Sequence, residues 1–170
     1  MRTNQPGHLK TFDYLGLHRY FLTFCTNYRQ HAFQNGDVVN LVLAQISRTA
    51  RESAFELLAY CFMPDHLHLL VEGTGDNSNC RRFIKSAKQY SGYYFEEDFK
   101  QKLWQRYGYE RILRDDEATL VVARYILNNP VRAGLVTDPR DYPFAGSNKY
   151  TMDEILEAVG ECDFRNSWST

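Results

Sequence analysis

His66 and His68 flank a single leucine in the segment HLHLLVE (66–72). The apolar alternation there predicts a strand, and residues two apart on a strand project from one face, about 6.6 Å apart along the chain. Two imidazoles so placed can converge on one metal ion, while Leu67 and Leu69 turn the other way into a core. The pattern equally suits two half-buried histidines that hold no metal, and spacing alone leaves both readings open. A second pair lies in ARYILNNP (123–130), where Tyr125 and Asn129 are four residues apart. On a helix they fall within about 40° of each other, at the edge of an apolar arc made by Leu120, Val122, Ala123, Ile126 and Leu127. An edge position lets a phenol and an amide look into a cleft beside a sheet, the phenol as a nucleophile. It also suits a boundary aromatic and a helix C-cap.

Three tyrosines compete with Tyr125 for the nucleophile's role, all in KQYSGYYF (88–95). Tyr90 and Tyr94 continue the stripe begun by Phe83 and Ala87 and are expected in the core. Tyr93 is expected toward solvent among lysines, where it could stack on a base. Tyr125 is therefore the first candidate and Tyr90 the second.

The elements that position these residues follow from periodicity. Residues 18–26 are dense in aromatic and β-branched side chains and read as a strand. Asp37 is a suitable N-cap for a helix over 37–52, with Val38, Val42, Ile46 and Ala50 every fourth residue. Two strands are expected at 55–62 and 66–72; the short Met63-Pro64-Asp65 link makes them antiparallel neighbours. A helix follows over about 79–98, then an extended segment within 103–114. Asp115 or Asp116 can cap a third helix, which must stop near Asn129 because Pro130 disfavours helical geometry at the residue before it. Residues 131–148 read as mostly irregular and 152–159 as a short acidic helix. This order predicts an α+β, ferredoxin-like (RRM-like) antiparallel sheet with helices packed on one face. The expected organisation is one domain over 1–150 and an acidic C-terminal tail over 151–170.

Composition narrows the function classes. The 170 residues carry a net charge of −1 and 12 Tyr and 11 Phe, which serve core packing and also offer faces to unpaired bases. Charge is unevenly distributed: residues 81–114 hold nine basic side chains against four acidic. That stretch fits a phosphate-binding face, with Arg81, Arg82, Lys85 and Lys88 on one helix; it also fits a solvated helix surface. Cys25, Cys61, Cys80 and Cys162 are scattered without a C-x-x-C pair, which fits a reducing compartment. With no hydrophobic signal core at MRTNQPGHLK and no apolar run of about 20 residues, a cytoplasmic location without membrane contact is expected.

Four blocks, YCFMPDHLHLLVEG, LWQRYGYERILR, ARYILNNPVRAGLV and DYPFAGSN, in this order over roughly residues 16–148, closely resemble the small single-tyrosine HUH (IS200-like) transposases, especially the REP-associated branch. The resemblance implies that His66 and His68 bind a divalent ion, Mg²⁺ or Mn²⁺. It implies that Tyr125, on the helix preceding the N-P dipeptide, is the nucleophile and that Asn129, one turn later, completes the metal site. The family often has a single Asn before Pro, whereas this chain has Asn128-Asn129. The implied activity is cutting and transfer of single-stranded or hairpin DNA through a 5′-phosphotyrosine, by a homodimer. The competing expectation is a non-catalytic ferredoxin-like module that binds single-stranded or hairpin nucleic acid through its aromatics and basic strip.

Overall fold

A computed structural model describes residues 12–115 and 117–162. Five strands form one antiparallel sheet in the order β4-β1-β3-β2-β5: β1 (Arg19–Cys25), β2 (Phe55–Met63), β3 (His66–Gly73), β4 (Tyr109–Ile112) and β5 (Ala145–Gly146). The helices are α1 (Gly36–Glu52), α2 (Cys80–Phe99), α3 (Thr119–Leu127), α4 (Asn129–Arg132) and α5 (Met152–Leu156). The expected strand-helix-strand-strand-helix-strand order and the ferredoxin-like sheet are what the chain forms.

The expected helical layer on one face is made by α1 and α2. Tyr20, Leu22 and Phe24 of β1 and Leu67, Leu69 and Val71 of β3 pack there against Val42 and Ile46 of α1 and Phe83 and Ala87 of α2. The opposite face is covered too. Phe21 of β1 and Leu70 of β3 pack against Val122, Ala123, Ile126 and Leu127 of α3 and Ile155 of α5. The central strands are consequently apolar in both parities, as a strand covered on both sides must be. A bulge between Leu57 and Ala59 in β2 reverses that strand's parity. Phe55 and Leu57 face α1 and α2, whereas Cys61 and Met63 face α3.

Local differences from the sequence reading have identifiable causes. The α1 cap is Asn35, whose side chain accepts from the Asp37 backbone N–H, and the helix starts at Gly36. Asp115 does not cap α3, which begins at Thr119 after Ala118 with no side-chain cap; Asp116 lies outside the described residues. Tyr90 and Tyr94 are not in the core: they are 39% and 40% exposed, and the buried stripe of α2 is Phe83, Ala87, Ser91 and Phe95. Ser91 on that stripe accepts from the buried Trp104 indole at 2.9 Å, so its hydroxyl is paired in the core. Tyr93 is exposed, as expected. The residues set apart as an acidic tail are docked as far as they are described. Ile155 is fully buried, and Arg124 donates to the carbonyls of Ala158 and Gly160. Among the described residues no helix is long and apolar enough to cross a membrane.

Candidate active site and nucleic-acid interface

The Met63–His66 hairpin register pairs His66 with Met63 and Cys25, and His68 with Cys61 and Thr23. Both imidazoles therefore stand on the face that α3 covers. Their Nε2 atoms approach to 3.1 Å. His66 Nδ1 meets Asp65 Oδ1 at 2.6 Å, and His68 Nδ1 meets Thr23 Oγ1 at 2.8 Å. The Asp65 carboxylate can only accept, so Nδ1 of His66 carries the hydrogen and its Nε2 presents a lone pair. Thr23 can accept from His68 in the same way, and that tautomer aims both Nε2 lone pairs at one point.

Electrostatics favour ligand-competent rings. Burial, reinforced by His66 and by the Arg132 and Arg29 guanidiniums, pushes His68 well below the usual imidazole range. Burial also lowers His66, although the neighbouring Asp65 opposes it. Burial tends to raise the Asp65 carboxyl; the hydrogen bond and charge of His66, with Arg29, outweigh it, and the group ends below the ordinary carboxylate range. Arg29 Nε stands 2.8 Å from Asp65 Oδ2. The resulting chain, a guanidinium on a carboxylate on an imidazole, is the arrangement by which metal-binding histidines are oriented.

These residues fit a small divalent ion. Metal–ligand bonds of about 2.1 Å place two adjacent ligands about 3 Å apart, which matches the observed Nε2 separation of 3.1 Å. Among the described residues no group of three His, Cys, Asp or Glu gathers to complete a closed cage. Such an ion would keep positions for an amide oxygen, water or phosphate oxygens.

Phe21 connects the histidines to α3. Its ring stacks on His68 at a centroid distance of 5.4 Å and meets the edge of Tyr125 at 6.5 Å. Tyr125 lies at the margin of the α3 core, as its place on the helical arc predicts. Beyond Asn128 the chain makes the short helix α4, with Pro130 near its start, instead of the expected irregular segment. That turn returns Arg132 over the Tyr125 ring, 4.0 Å from its centroid, where its Nη2 also donates to the Tyr125 carbonyl at 3.0 Å. The Asn129 amide nitrogen donates to the carbonyls of Ile126 (3.0 Å) and Tyr125 (3.3 Å). This caps the helix and leaves Oδ1 as the atom able to ligate. A hollow of about 300 Å³ beside Tyr125 is lined by Val121, Arg124, Asn128, Arg132 and Cys162. Of the two asparagines, Asn128 shares that hollow with Tyr125 and Asn129 does not.

The basic stretch forms a separate feature. A cleft of about 1170 Å³ runs between α2 and residues 102–110, lined by Arg81, Lys85, Lys88, Lys102 and Arg106 and by the rings of Tyr93, Tyr107 and Tyr109. Arg82 is exposed outside it. Lys88 is engaged internally: its ammonium donates to the carbonyls of Gln105 (2.8 Å) and Arg106 (3.2 Å), and burial lowers its pKa to about 8. It therefore pins one wall of the cleft, leaving Arg81 and Lys85 of α2 better placed to meet phosphates.

Sequence reasoning did not single out Thr23, Asp65, Phe21, Arg29 or Arg132. Asp65 precedes His66 directly, and Thr23 is the one polar residue within β1's apolar run; both were findable signals. Arg132 could be placed only by the turn after Pro130.

The family model described as transposase IS200 like matches residues 15–129. A Haemophilus influenzae protein assigned as a REP-associated tyrosine transposase is 26% identical over 155 residues, 80% of this chain and 83% of that protein. A REP-associated tyrosine transposase of Escherichia coli K12 is 31% identical over 103 residues, 59% of each chain. The structure of a REP-associated tyrosine transposase bound to a REP hairpin superposes with a TM-score of 0.67 at 20% identity. That superposition covers 82% of this chain and 81% of the other, and it establishes the shared fold.

Proposed function

The chain belongs to the IS200-like transposase family, and from that premise we propose that it cuts and rejoins single-stranded or hairpin DNA through a covalent phosphotyrosine on Tyr125. His66, His68 and Asn129 would hold Mg²⁺ or Mn²⁺. One observation carries the reading: two anchored imidazoles share a focus on the same sheet face that α3 covers with Tyr125. When bound, the ion polarises the scissile phosphate and offsets the charge that develops on it. Tyr125 Oη attacks phosphorus and forms the Tyr–O–P bond as the P–O3′ bond breaks; the phenol's proton leaves and the departing 3′-oxygen gains one. Arg132 holds positive charge against the Tyr125 ring throughout. The phosphotyrosine conserves the bond energy, so another 3′-hydroxyl can reverse the step without ATP. A denaturing gel with end-labelled hairpin DNA and Mn²⁺ tests this. A protein-linked band is expected, and none from the wild-type chain on hairpins from its own flanking DNA would defeat the reading.

The basic α2 surface, the cleft together with the neighbouring Arg82, supplies the affinity in this scheme, because lysines and arginines that neutralise phosphates release counterions. Changing Arg81, Arg82 and Lys85 together to Glu should weaken hairpin binding roughly a hundredfold at low salt and flatten its salt dependence. An unchanged salt slope would move the DNA-binding face elsewhere.

The working unit is proposed to be a cytoplasmic homodimer. Leu15, Leu17 and Leu135 are exposed apolar side chains that a second copy would cover. Light scattering should give twice the chain mass at micromolar concentration; a strict monomer would sink the assignment.

A further inference from the structure

Among the described residues four non-glycine positions have positive φ: Tyr28, Arg29, Ala54 and Lys100. Ala54 and Lys100 are single residues just past the ends of α1 and α2, where a left-handed residue closes a helix. Tyr28 and Arg29 are different. They are consecutive, at φ 51° and 55°, in the turn Asn27–Arg29 immediately after β1. An aromatic and an arginine rarely adopt this backbone, and two in succession persist only where the surroundings impose them.

Here the surroundings do impose them. Asn27 N–H donates to the Leu103 carbonyl at 2.7 Å, and Arg29 N–H to the Thr26 carbonyl at 3.0 Å. Thr26 Oγ1 reaches the carbonyls of Gln30 and Asp65, at 2.8 and 2.9 Å. Arg29 itself is clamped to the Asp65 carboxylate that orients His66. What this framework displays is Tyr28, which is 95% exposed and makes no hydrogen bond or ring contact among the described residues. The framework thus holds a bare aromatic face beside the histidine end of the sheet, one residue from the guanidinium that steadies the carboxylate orienting His66. The same turn is bonded to Leu103 and, through Gln30 Nε2, to the Lys102 carbonyl at 2.8 Å, both on the wall of the basic cleft.

We propose that Tyr28 is a substrate-positioning residue whose ring stacks on the unpaired base adjoining the scissile phosphate, at the junction between the cleft and the histidine pair. The proposal rests on the DNA-cutting reading for its substrate class. A single strand at a cutting site has lost its base-stacking partners, and any base gains from an aromatic face whatever its sequence. Tyr28 needs only its ring for this, so Tyr28→Phe should behave as wild type and Tyr28→Ser should not. Neither change touches a buried group.

The test uses the full-length protein and a hairpin with single-stranded flanks, carrying 5-iodouracil at one flank position at a time, with a blunt hairpin as control. Photocross-linking should join one or two adjacent flank positions to Tyr28. Loss of the ring should weaken binding of the flanked hairpin about tenfold, with Tyr28→Phe within about twofold of wild type and the blunt hairpin unaffected. Cross-links confined to other residues, or equal binding by Tyr28→Ser, would overturn the proposal alone. Both readouts are made without cleavage, in wild type and in Tyr125→Phe alike, so they stand even if no phosphotyrosine forms. A wild-type chain that binds neither DNA would overturn this inference together with the proposed function.

Discussion

Tyr125→Phe is expected to bind hairpin DNA and Mn²⁺ as the wild type does and to form no covalent adduct, a loss of at least about a thousandfold in cleavage, roughly 4 kcal/mol of transition-state stabilisation. The substitution is a clean one here. Phenylalanine keeps the ring's edge contact with Phe21 and the face on which Arg132 rests, while the attacking oxygen is lost. The rival tyrosines are separated by the fold itself. Tyr90, Tyr93 and Tyr94 belong to α2, which covers the sheet face opposite the histidines. Tyr90 packs instead beside α1, with the Arg48 guanidinium 5.7 Å from its ring centroid. Tyr90→Phe should therefore still yield the protein-linked band on a denaturing gel. A band from Tyr125→Phe, or its loss only in Tyr90→Phe, would hand the nucleophile's role to α2.

His66→Ala and His68→Ala should each abolish cleavage and lower Mn²⁺ affinity at least about a hundredfold, while uncut hairpin still binds. The two Nε2 atoms lie 3.1 Å apart, and either imidazole alone would leave the proposed ion a single nitrogen ligand. The two variants should differ in stability. His68 is buried against Phe21 and Thr23, so its removal also opens a cavity, whereas His66 sits nearer the surface. Asp65→Asn and Thr23→Val keep both rings but loosen their orientation, and a smaller loss of about 10–100-fold in metal affinity is expected. Calorimetry with Mn²⁺, read beside thermal melts, separates the two effects. Full cleavage by protein stripped with EDTA would remove the metal from the scheme.

Much of the site was determined locally. Strand parity puts His66 and His68 on one face whatever the rest of the chain does, because a side-chain period of two is a property of the extended backbone. The Pro64-Asp65 link forces β2 and β3 to be antiparallel neighbours, and α3 ends within two residues of where the sequence predicts. Asn129 before Pro130 is nonetheless itself helical, as the first residue of α4. The interruption comes from the N–H that Pro130 lacks, and the Asn129 side chain donates to the Ile126 carbonyl in its place. Tyr125 falls at the edge of its helix's apolar arc for the same kind of reason.

Only the tertiary structure decided which faces meet. The segment FELLAYCFM is apolar in both parities, so nothing local shows that a bulge at Leu57–Ala59 turns Cys61 and Met63 toward the histidines. On α2, a stripe through Tyr90 and Tyr94 and one through Ser91 and Phe95 are one residue apart. The buried one packs Phe83, Ala87 and Phe95 into the core, and its Ser91 accepts from the Trp104 indole, thirteen residues away. The second helical layer, α3 with Ile155 of α5, exists because β1 and β3 expose Phe21 and Leu70 on the face that α1 and α2 leave open. Burying that apolar surface carries Tyr125 onto the histidine face. Thr23, brought to His68 by strand pairing, and Arg132, returned over Tyr125 by α4, complete the arrangement. Local rules set which residues share an element's face; long-range burial and hydrogen-bond satisfaction set what that face meets.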